Sequence, residues 1–226
     1  MKSYTHYLFD ADGTLLDTAE LIYQAFKYSC RKFMNKDLAF EAIKGTIGLP
    51  IRKMMDLHLE PMSDERYASL LPEHMQYQRA IRATYLKLFP GVAEGLTALK
   101  AQGKHLAVVS SRGQETLKLY LQETGIYDLF DAVISPECTT HHKPHPEPAL
   151  TALDMLKGKP ENALFIGDAE FDIECGTRAG MDTAFVLWSH NPPETLKIQP
   201  TLLLKTFGDL VGENATRGDS EEVKFG

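Results

Sequence analysis

Cysteine, tryptophan and long apolar runs are all scarce in this sequence. Of its 226 residues, 3 are cysteines and 1 is a tryptophan. Cys30, Cys138 and Cys175 are widely spaced and form no CxxC pair, so we expect a reducing compartment. No apolar run approaches the ~18 residues of a membrane span, and the first residues lack the apolar stretch of a signal peptide. These deficits favour a cytoplasmic protein.

Positive charge is also in deficit, with 24 lysines and arginines against 31 aspartates and glutamates and a formal net charge of -7. A surface of this sign argues against nucleic acid or an anionic membrane as the main partner. A small anionic substrate would need local positive charge from a metal, a lysine or helix ends. We expect a chain of this size to bury a sizeable core and to be a monomer or a weak dimer.

The most informative feature present is a pair of carboxylates that follows a short apolar strand over residues 4–9. Asp10 and Asp12 lie one residue apart, so a strand would direct both side chains to the same face. Two charges so close repel by roughly 4 kcal/mol at an effective dielectric near 20, and a cation or a shared proton would relieve that repulsion. The segment therefore predicts a catalytic site, although an ordinary Asp-Gly turn after an edge strand stays open.

Periodicity divides the chain into two kinds of structure. Apolar residues recur at helical spacing over residues 16–84, without a strand, and we expect Pro72 to split the segment 64–88. Strands then alternate with helices, which predicts a doubly wound, Rossmann-like parallel sheet. The predicted strands cover residues 4–9, 106–109, 132–134, 163–166 and 183–187. The prediction is an α/β core (1–15 and 85–212), an inserted all-α cap (16–84) and a flexible tail (213–226).

Polar side chains follow successive predicted strands. Asp10, Ser110 and Asp168 each follow a strand directly, Asp172 lies one helical turn beyond Asp168, and Lys143 follows the third strand after a short loop. Each is an ordinary cap or turn residue when taken alone. Ligands of open parallel sheets bind beyond the carboxyl ends of the strands. We therefore predict that these groups share one site.

The order of these segments resembles the haloacid dehalogenase superfamily of phosphohydrolases, from residue 4 to about residue 211. The resemblance is carried by Asp10-Ala11-Asp12-Gly13-Thr14, Ser110-Ser111, Lys143-Pro144-His145-Pro146 and Gly167-Asp168 with Asp172. The helical insertion is similar to the small cap of the phosphoglycolate phosphatase, pyrophosphatase and β-phosphoglucomutase branch. The resemblance implies a magnesium-dependent phosphatase that acts on a small soluble phosphate, with pyrophosphate and 2-phosphoglycolate as the leading candidates.

The resemblance also implies the roles of the acidic residues. Asp10 would be the nucleophile that forms an aspartyl-phosphate, and Asp12 would act as general acid and then as general base. Mg²⁺ would lie between Asp10, Asp168 and the phosphate, with the backbone carbonyl of Asp12 as a further ligand. Asp172 would support the metal through water or would position Lys143.

The predicted binding groups come from the core and from the cap. Ser110 would donate to a phosphoryl oxygen, helped by the backbone N–H of Ser111 at the start of the following helix. Lys143 would hold Asp10 and the phosphate by its charge. In the cap, the glycine-rich segment 45–52 would meet the site, so Gly48 and Arg52 are candidate substrate-binding residues, and a solvated surface arginine is the alternative for Arg52.

Other functions stay open at this point. A sugar-phosphate mutase is one alternative, although the mutases that this chain resembles carry a cap histidine where this sequence has Ile22. A catalytically silent binding protein on the same fold is another. His141, His142 and His145 surround Lys143 and could suggest zinc, but a solvated loop is the better interpretation because the segment is proline-rich and lacks helical ligand spacing.

Overall fold

The computed structural model describes residues 2–212. The predicted tail at 213–226 lies outside the described residues. The strands are β1 (His6–Phe9), β2 (Leu16–Asp17), β3 (Lys87–Leu88), β4 (His105–Val109), β5 (Ala132–Ile134), β6 (Ala163–Gly167), β7 (Asp182–Val186) and β8 (Leu202–Leu204). The helices are α1 (Ala19–Met34), α2 (Phe40–Lys44), α3 (Ile51–His58), α4 (Asp64–Tyr85), α5 (Val92–Ala101), α6 (Gln114–Glu123), α7 (Glu147–Met155) and α8 (Glu170–Arg178).

A six-stranded parallel sheet in the order β5-β4-β1-β6-β7-β8 forms the centre of the molecule. From β1 the chain moves outward through β4 and β5, then returns to β6 on the other side of β1. This reversal confirms the predicted doubly wound fold and makes the carboxyl end of β1 its switch point. The edge strand β8 was not predicted, because no α-helix separates it from β7 and it therefore lies outside the strand–helix alternation that marks the other strands.

Both faces of the sheet are buried, as a parallel sheet requires. Successive side chains of a strand point to opposite faces, so Phe9 joins one apolar cluster and Leu8 joins the other. Ile166 and Phe165 on β6 divide in the same way. Continuous apolar runs in the sequence therefore correspond to strands that are covered by helices on both sides.

The inserted helices α1–α4 form a separate layer above the carboxyl end of the sheet. Helices α1 and α4 pack along one another, and a third apolar cluster around Phe26, Ile43 and Met55 lies between the four helices. The two chain connections to this cap pair as antiparallel strands, with Leu16 opposite Leu88. The expectation of no strand in residues 16–84 is therefore wrong at Leu16–Asp17, because that backbone hydrogen-bonds to the returning chain.

Pro72 does not split its helix, contrary to the prediction. Helix α4 runs without a break through 22 residues and ends at Tyr85 rather than at 88. Pro72 is exposed, whereas Leu70 and His74 on the same helix are buried. Proline removes one backbone donor, and the burial of α4 against α1 outweighs that loss. Within the described residues, no helix is both long enough and apolar enough to cross a membrane.

Candidate active site

Three strands bring their terminal polar residues together at the switch point. Asp10 follows β1, Ser110 follows β4 and Asp168 follows β6, and all three side chains are buried. Parallel neighbours place their carboxyl ends at one edge of the sheet, so residues far apart in sequence become neighbours. The predicted convergence is therefore seen in the structure.

Lys143 links two of the carboxylates. Its Nζ donates to Asp10 Oδ1 at 2.5 Å, to Asp172 Oδ1 at 2.7 Å and to the carbonyl oxygen of Val109 at 3.1 Å. The Lys143 side chain is 1% exposed. Three acceptors match the three protons of the ammonium group, so its position is firmly held. Asp172 Oδ2 in turn accepts from the backbone N–H of Ala169 at 3.1 Å, so the carboxylate that binds Lys143 is itself fixed by the backbone.

The same carboxylates form a candidate metal site. Asp10, Asp168 and Asp172 each offer a ligand oxygen, and these oxygens lie within 4.8 Å of one another. Asp10 Oδ2 is buried and has no hydrogen-bond partner. Clustered carboxylates are the ligands that Mg²⁺ prefers, so this donor set fits a hard divalent cation, with Asp10 and Asp168 as the candidate direct ligands.

Gly13 allows Asp168 to approach the turn after β1. Its φ is +85°, and a Cβ at this position would lie 2.2 Å from Asp168 Oδ2. Asn191 donates to the same oxygen at 2.8 Å. The close packing of backbone and carboxylate requires a residue without a side chain, which gives the Asp-Gly sequence a role beyond turn formation.

Burial changes the proton affinity of the cluster. Burial raises the pKa of Asp10 to about 7, although the charge of Lys143 acts in the opposite direction, and Asp172 and Asp12 raise it further. Burial and the neighbouring carboxylates also raise the pKa of Asp168 well above its usual range. Burial disfavours the charged form of Lys143, but Asp10 and Asp172 outweigh it and raise its pKa. The excess negative charge at this site would favour a bound cation.

Asp12 is held by a residue that sequence reasoning missed. Arg112 donates to Asp12 from Nε at 2.9 Å and from Nη2 at 2.7 Å, and the hydroxyl of Thr18 donates to Asp12 Oδ1 at 2.5 Å. The guanidinium carbon also lies 4.5 Å from the centre of the Tyr120 ring. A bidentate arginine fixes the plane of a carboxylate. The available signal was a basic residue two positions after Ser110.

Ser110 and Ser111 line the space beside Asp10 and Asp12. The backbone N–H of Arg112 donates to Ser110 Oγ at 3.1 Å, which leaves the hydroxyl proton of Ser110 available to a ligand. Helix α6 begins at Gln114 with Gly113 as its N-cap. The expectation that Ser111 stands at the start of this helix is therefore wrong, because a bend at Ser111 and Arg112 precedes the N-cap Gly113.

A cavity of about 390 Å³ lies between the cap and this edge of the sheet. Gly48 lies in the lining of this cavity, as predicted. Its φ is +94°, and a Cβ added at this position would lie 2.9 Å from the Phe171 ring.

Arg52 is not brought to the cavity lining. Its guanidinium pairs with Asp56 at 3.1 Å and with Asp64 at 2.7 Å, and it stacks on the ring of Tyr67. Two neighbouring cap carboxylates therefore pair this arginine within the cap.

The doubly wound sheet and the buried lysine–carboxylate cluster at its switch point define an α/β enzyme site. The family model of the haloacid dehalogenase-like hydrolases matches residues 7–186. The chain belongs to this family and is a hydrolase of that type.

Three relatives and one solved structure illustrate the similarity. The chain is 35% identical over 212 residues to "Probable phosphatase IndB" of Dickeya dadantii, with 91% of each chain covered. It is 33% identical over 183 residues to phosphoglycolate phosphatase of Aquifex aeolicus, covering 81% of this chain and 84% of the relative. It is 31% identical over 205 residues to pyrophosphatase PpaX of Anoxybacillus flavithermus, covering 90% and 94%. A crystal structure described as a haloacid dehalogenase-like hydrolase from Bacteroides fragilis aligns with a TM-score of 0.84 at 30% identity, covering 92% of this chain and 100% of that chain.

Proposed function

We propose that this protein is a magnesium-dependent phosphatase that hydrolyses a small soluble phosphate through an aspartyl-phosphate on Asp10. The proposal rests on the contacts of the two Asp10 carboxylate oxygens. One of its oxygens is held at 2.5 Å by Lys143, and the other is buried without a partner beside Asp168. The names of the relatives, which include a phosphoglycolate phosphatase and a pyrophosphatase, support the phosphatase class.

In the first step, a carboxylate oxygen of Asp10 attacks phosphorus, and the bond between phosphorus and the leaving oxygen breaks. Asp12 in its protonated form gives its proton to that leaving oxygen, and the leaving group departs as the alcohol, or as phosphate when the substrate is pyrophosphate. Arg112 and Thr18 hold the Asp12 carboxyl group in position for this transfer. In the second step Asp12 takes a proton from water, the water oxygen bonds to phosphorus, and the bond to Asp10 breaks to release inorganic phosphate.

The remaining groups bind and orient the phosphate. The free hydroxyl proton of Ser110 is available to a phosphoryl oxygen, and removal of one such donor costs roughly 2.7–4 kcal/mol in comparable sites. Lys143 keeps the attacking carboxylate in place. Mg²⁺ held by Asp10 and Asp168, with the backbone carbonyl of Asp12, would neutralise charge on the transferring phosphoryl group.

Hydrolysis is favoured over the mutase alternative by one cap residue. Ile22 lines the cavity, and an aliphatic side chain cannot transfer the protons that a cap histidine would transfer in a mutase. The mutase would be recognised by interconversion of sugar phosphates in the presence of a bisphosphate primer. A silent binding protein would release no phosphate from any ester.

The test is phosphate release from p-nitrophenyl phosphate and from a panel of phosphorylated metabolites that includes pyrophosphate and 2-phosphoglycolate. We expect turnover with Mg²⁺, its loss with EDTA, and its loss in Asp10→Asn. Asp154→Asn is the matched control, because Asp154 is exposed on α7, which lies against the sheet rather than on the cavity. Undiminished activity of Asp10→Asn would overturn the assignment of the nucleophile.

A further inference from the structure

We propose that the substrate is a phosphate monoester whose alcohol portion is an uncharged, largely apolar ring or chain with a hydrogen-bonding group that reaches His74. This inference rests on the proposed phosphatase function and names the substrate class for the same site. It distinguishes this chain from an enzyme that is built for pyrophosphate or 2-phosphoglycolate, both of which carry a second anionic group.

The size and walls of the cavity are the first argument. Its volume of about 390 Å³ falls within the range of about 300–1,000 Å³ that is typical for drug-sized ligands. The cap side of the cavity is mainly apolar. The apolar lining includes Phe26, Ile51, Met54, Tyr67, Leu71 and Met75. A wall of this kind gains free energy by covering apolar surface and gains nothing from a small, fully hydrated anion.

The pairing of the cations is the second argument. Two arginines line the cavity, and each already has a carboxylate partner. Arg112 holds Asp12 with two hydrogen bonds, and Nη2 of Arg79 lies 2.9 Å from Oε1 of Glu115. Among the described residues that line the cavity, each arginine pairs with a carboxylate, so neither presents an uncompensated charge to a second phosphate or a carboxylate. Nε of Arg79 is buried without a hydrogen-bond partner and is available as one further donor to a ligand.

His74 is the third argument, because it supplies a polar group without a charge. It is buried on α4, its Nδ1 lies 2.9 Å from Ser29 Oγ, and its Nε2 is buried with no hydrogen-bond partner. Burial, together with the charge of Arg112, lowers the pKa of His74 to about 4, so the ring is neutral near pH 7. A buried polar atom normally has a partner, and a neutral imidazole nitrogen suits a hydroxyl, an amine or a carbonyl group of a ligand.

The test compares kcat/KM of the full chain with Mg²⁺ for three alkyl phosphate monoesters of similar intrinsic reactivity and for pyrophosphate, which is an anhydride with a better leaving group. The apolar probe is 2-phenylethyl phosphate, the hydrogen-bonding probe is 2-(4-hydroxyphenyl)ethyl phosphate, and the anionic probes are 2-phosphoglycolate and pyrophosphate. We expect both aromatic esters to exceed both anionic probes at least about tenfold, because a single methylene in an apolar pocket is worth about 10–200-fold.

Two matched variants test the apolar wall. Met75→Lys places a cation at the cavity, and it should reduce the preference for 2-phenylethyl phosphate over 2-phosphoglycolate by about tenfold or more. Gln76→Lys adds the same charge at the next position of α4, where the side chain is exposed and outside the lining, and it should keep the wild-type preference. Equal preferences in the two variants would contradict the proposed role of the wall.

His74→Phe tests the polar contact through a ratio that is measured within one protein. It should lower kcat/KM for the hydroxylated ester relative to 2-phenylethyl phosphate, and an unchanged ratio would remove His74 from the proposal. A preference of the wild type for 2-phosphoglycolate or pyrophosphate would overturn the inference and leave the phosphatase intact. Absence of Asp10-dependent phosphate release from every probe and from p-nitrophenyl phosphate would overturn both.

Discussion

Acidification should remove the stability that neutral, buried His74 contributes, an effect opposite in sign to that of Asp10 and Asp168, whose pKa values are raised in the folded chain. In the folded chain the ring packs edge-on against Phe26, with 4.7 Å between ring centroids, and its pKa is lowered by burial to about 4. In the unfolded chain the same histidine titrates near pH 6.5. As the pH falls below about 6.5, the unfolded state therefore binds a proton that the folded state rejects, and the free energy of unfolding decreases.

The magnitude follows from the two pKa values. A difference of about 2.5 corresponds to about 3 kcal/mol at about 1.4 kcal/mol per pKa unit, lost progressively between pH 6.5 and pH 4. At pH 5 the loss from this group should be about 2 kcal/mol. Such an amount is a large fraction of a typical stability of about 5–15 kcal/mol.

Urea unfolding at pH 7.5 and at pH 5, followed by circular dichroism, measures this effect. His74→Phe keeps an aromatic ring at the position and removes the titrating group, so its stability should fall about 2 kcal/mol less than that of the wild type. His142→Gln, at an exposed histidine, should follow the wild-type pH dependence. The reasoning would be refuted if wild type and His74→Phe lost the same stability between the two pH values.

Three further substitutions test other parts of the structure. Pro72→Ala should stabilise the protein by about 1–2 kcal/mol, because it restores a helical hydrogen bond at an exposed position; an unchanged or lower thermal midpoint would contradict this. Lys143→Met should lower the free energy of unfolding in urea by about 3–5 kcal/mol and abolish turnover, because it leaves two buried carboxylates without their cation. A decrease below about 1 kcal/mol would show that these ion pairs are not buried as described. Gly13→Ala should be more destabilising than Gly103→Ala. Both glycines have positive φ, but only at position 13 would a Cβ clash with Asp168. Equal thermal midpoints for the two variants would show that Asp168 moves away from the added Cβ at no cost.

The alternation of strands and helices was sufficient to predict the doubly wound sheet. Continuous apolar runs mark strands that are covered on both faces, and this signal depends only on neighbouring residues. The prediction failed at β8, which follows β7 without an intervening α-helix. It also failed at Pro72, where the local cost of proline is smaller than the gain from packing α4 on α1. These two outcomes were decided by distant contacts.

The candidate site was also predicted only in part from the sequence. Asp10, Ser110 and Asp168 could be assigned to one edge because the carboxyl ends of parallel strands meet there. The partners of these residues could not be assigned. Arg112 reaches Asp12 over 100 residues of sequence, and His74 faces the cavity because the cap folds over the sheet. Arg52 pairs with two carboxylates of the cap, Asp56 and Asp64, and does not line the cavity.

The order of residues along this chain determined its strands, its helices and the polar groups at the strand ends, since those properties follow from local geometry and from alternate burial. Tertiary structure decided which carboxylate Lys143 joins, which arginine holds Asp12, and that the space above Asp10 is lined by apolar side chains. Hydrogen bonds and cavity walls arise from atoms that meet only after the chain has closed on itself, so their identity depends on packing and not on spacing.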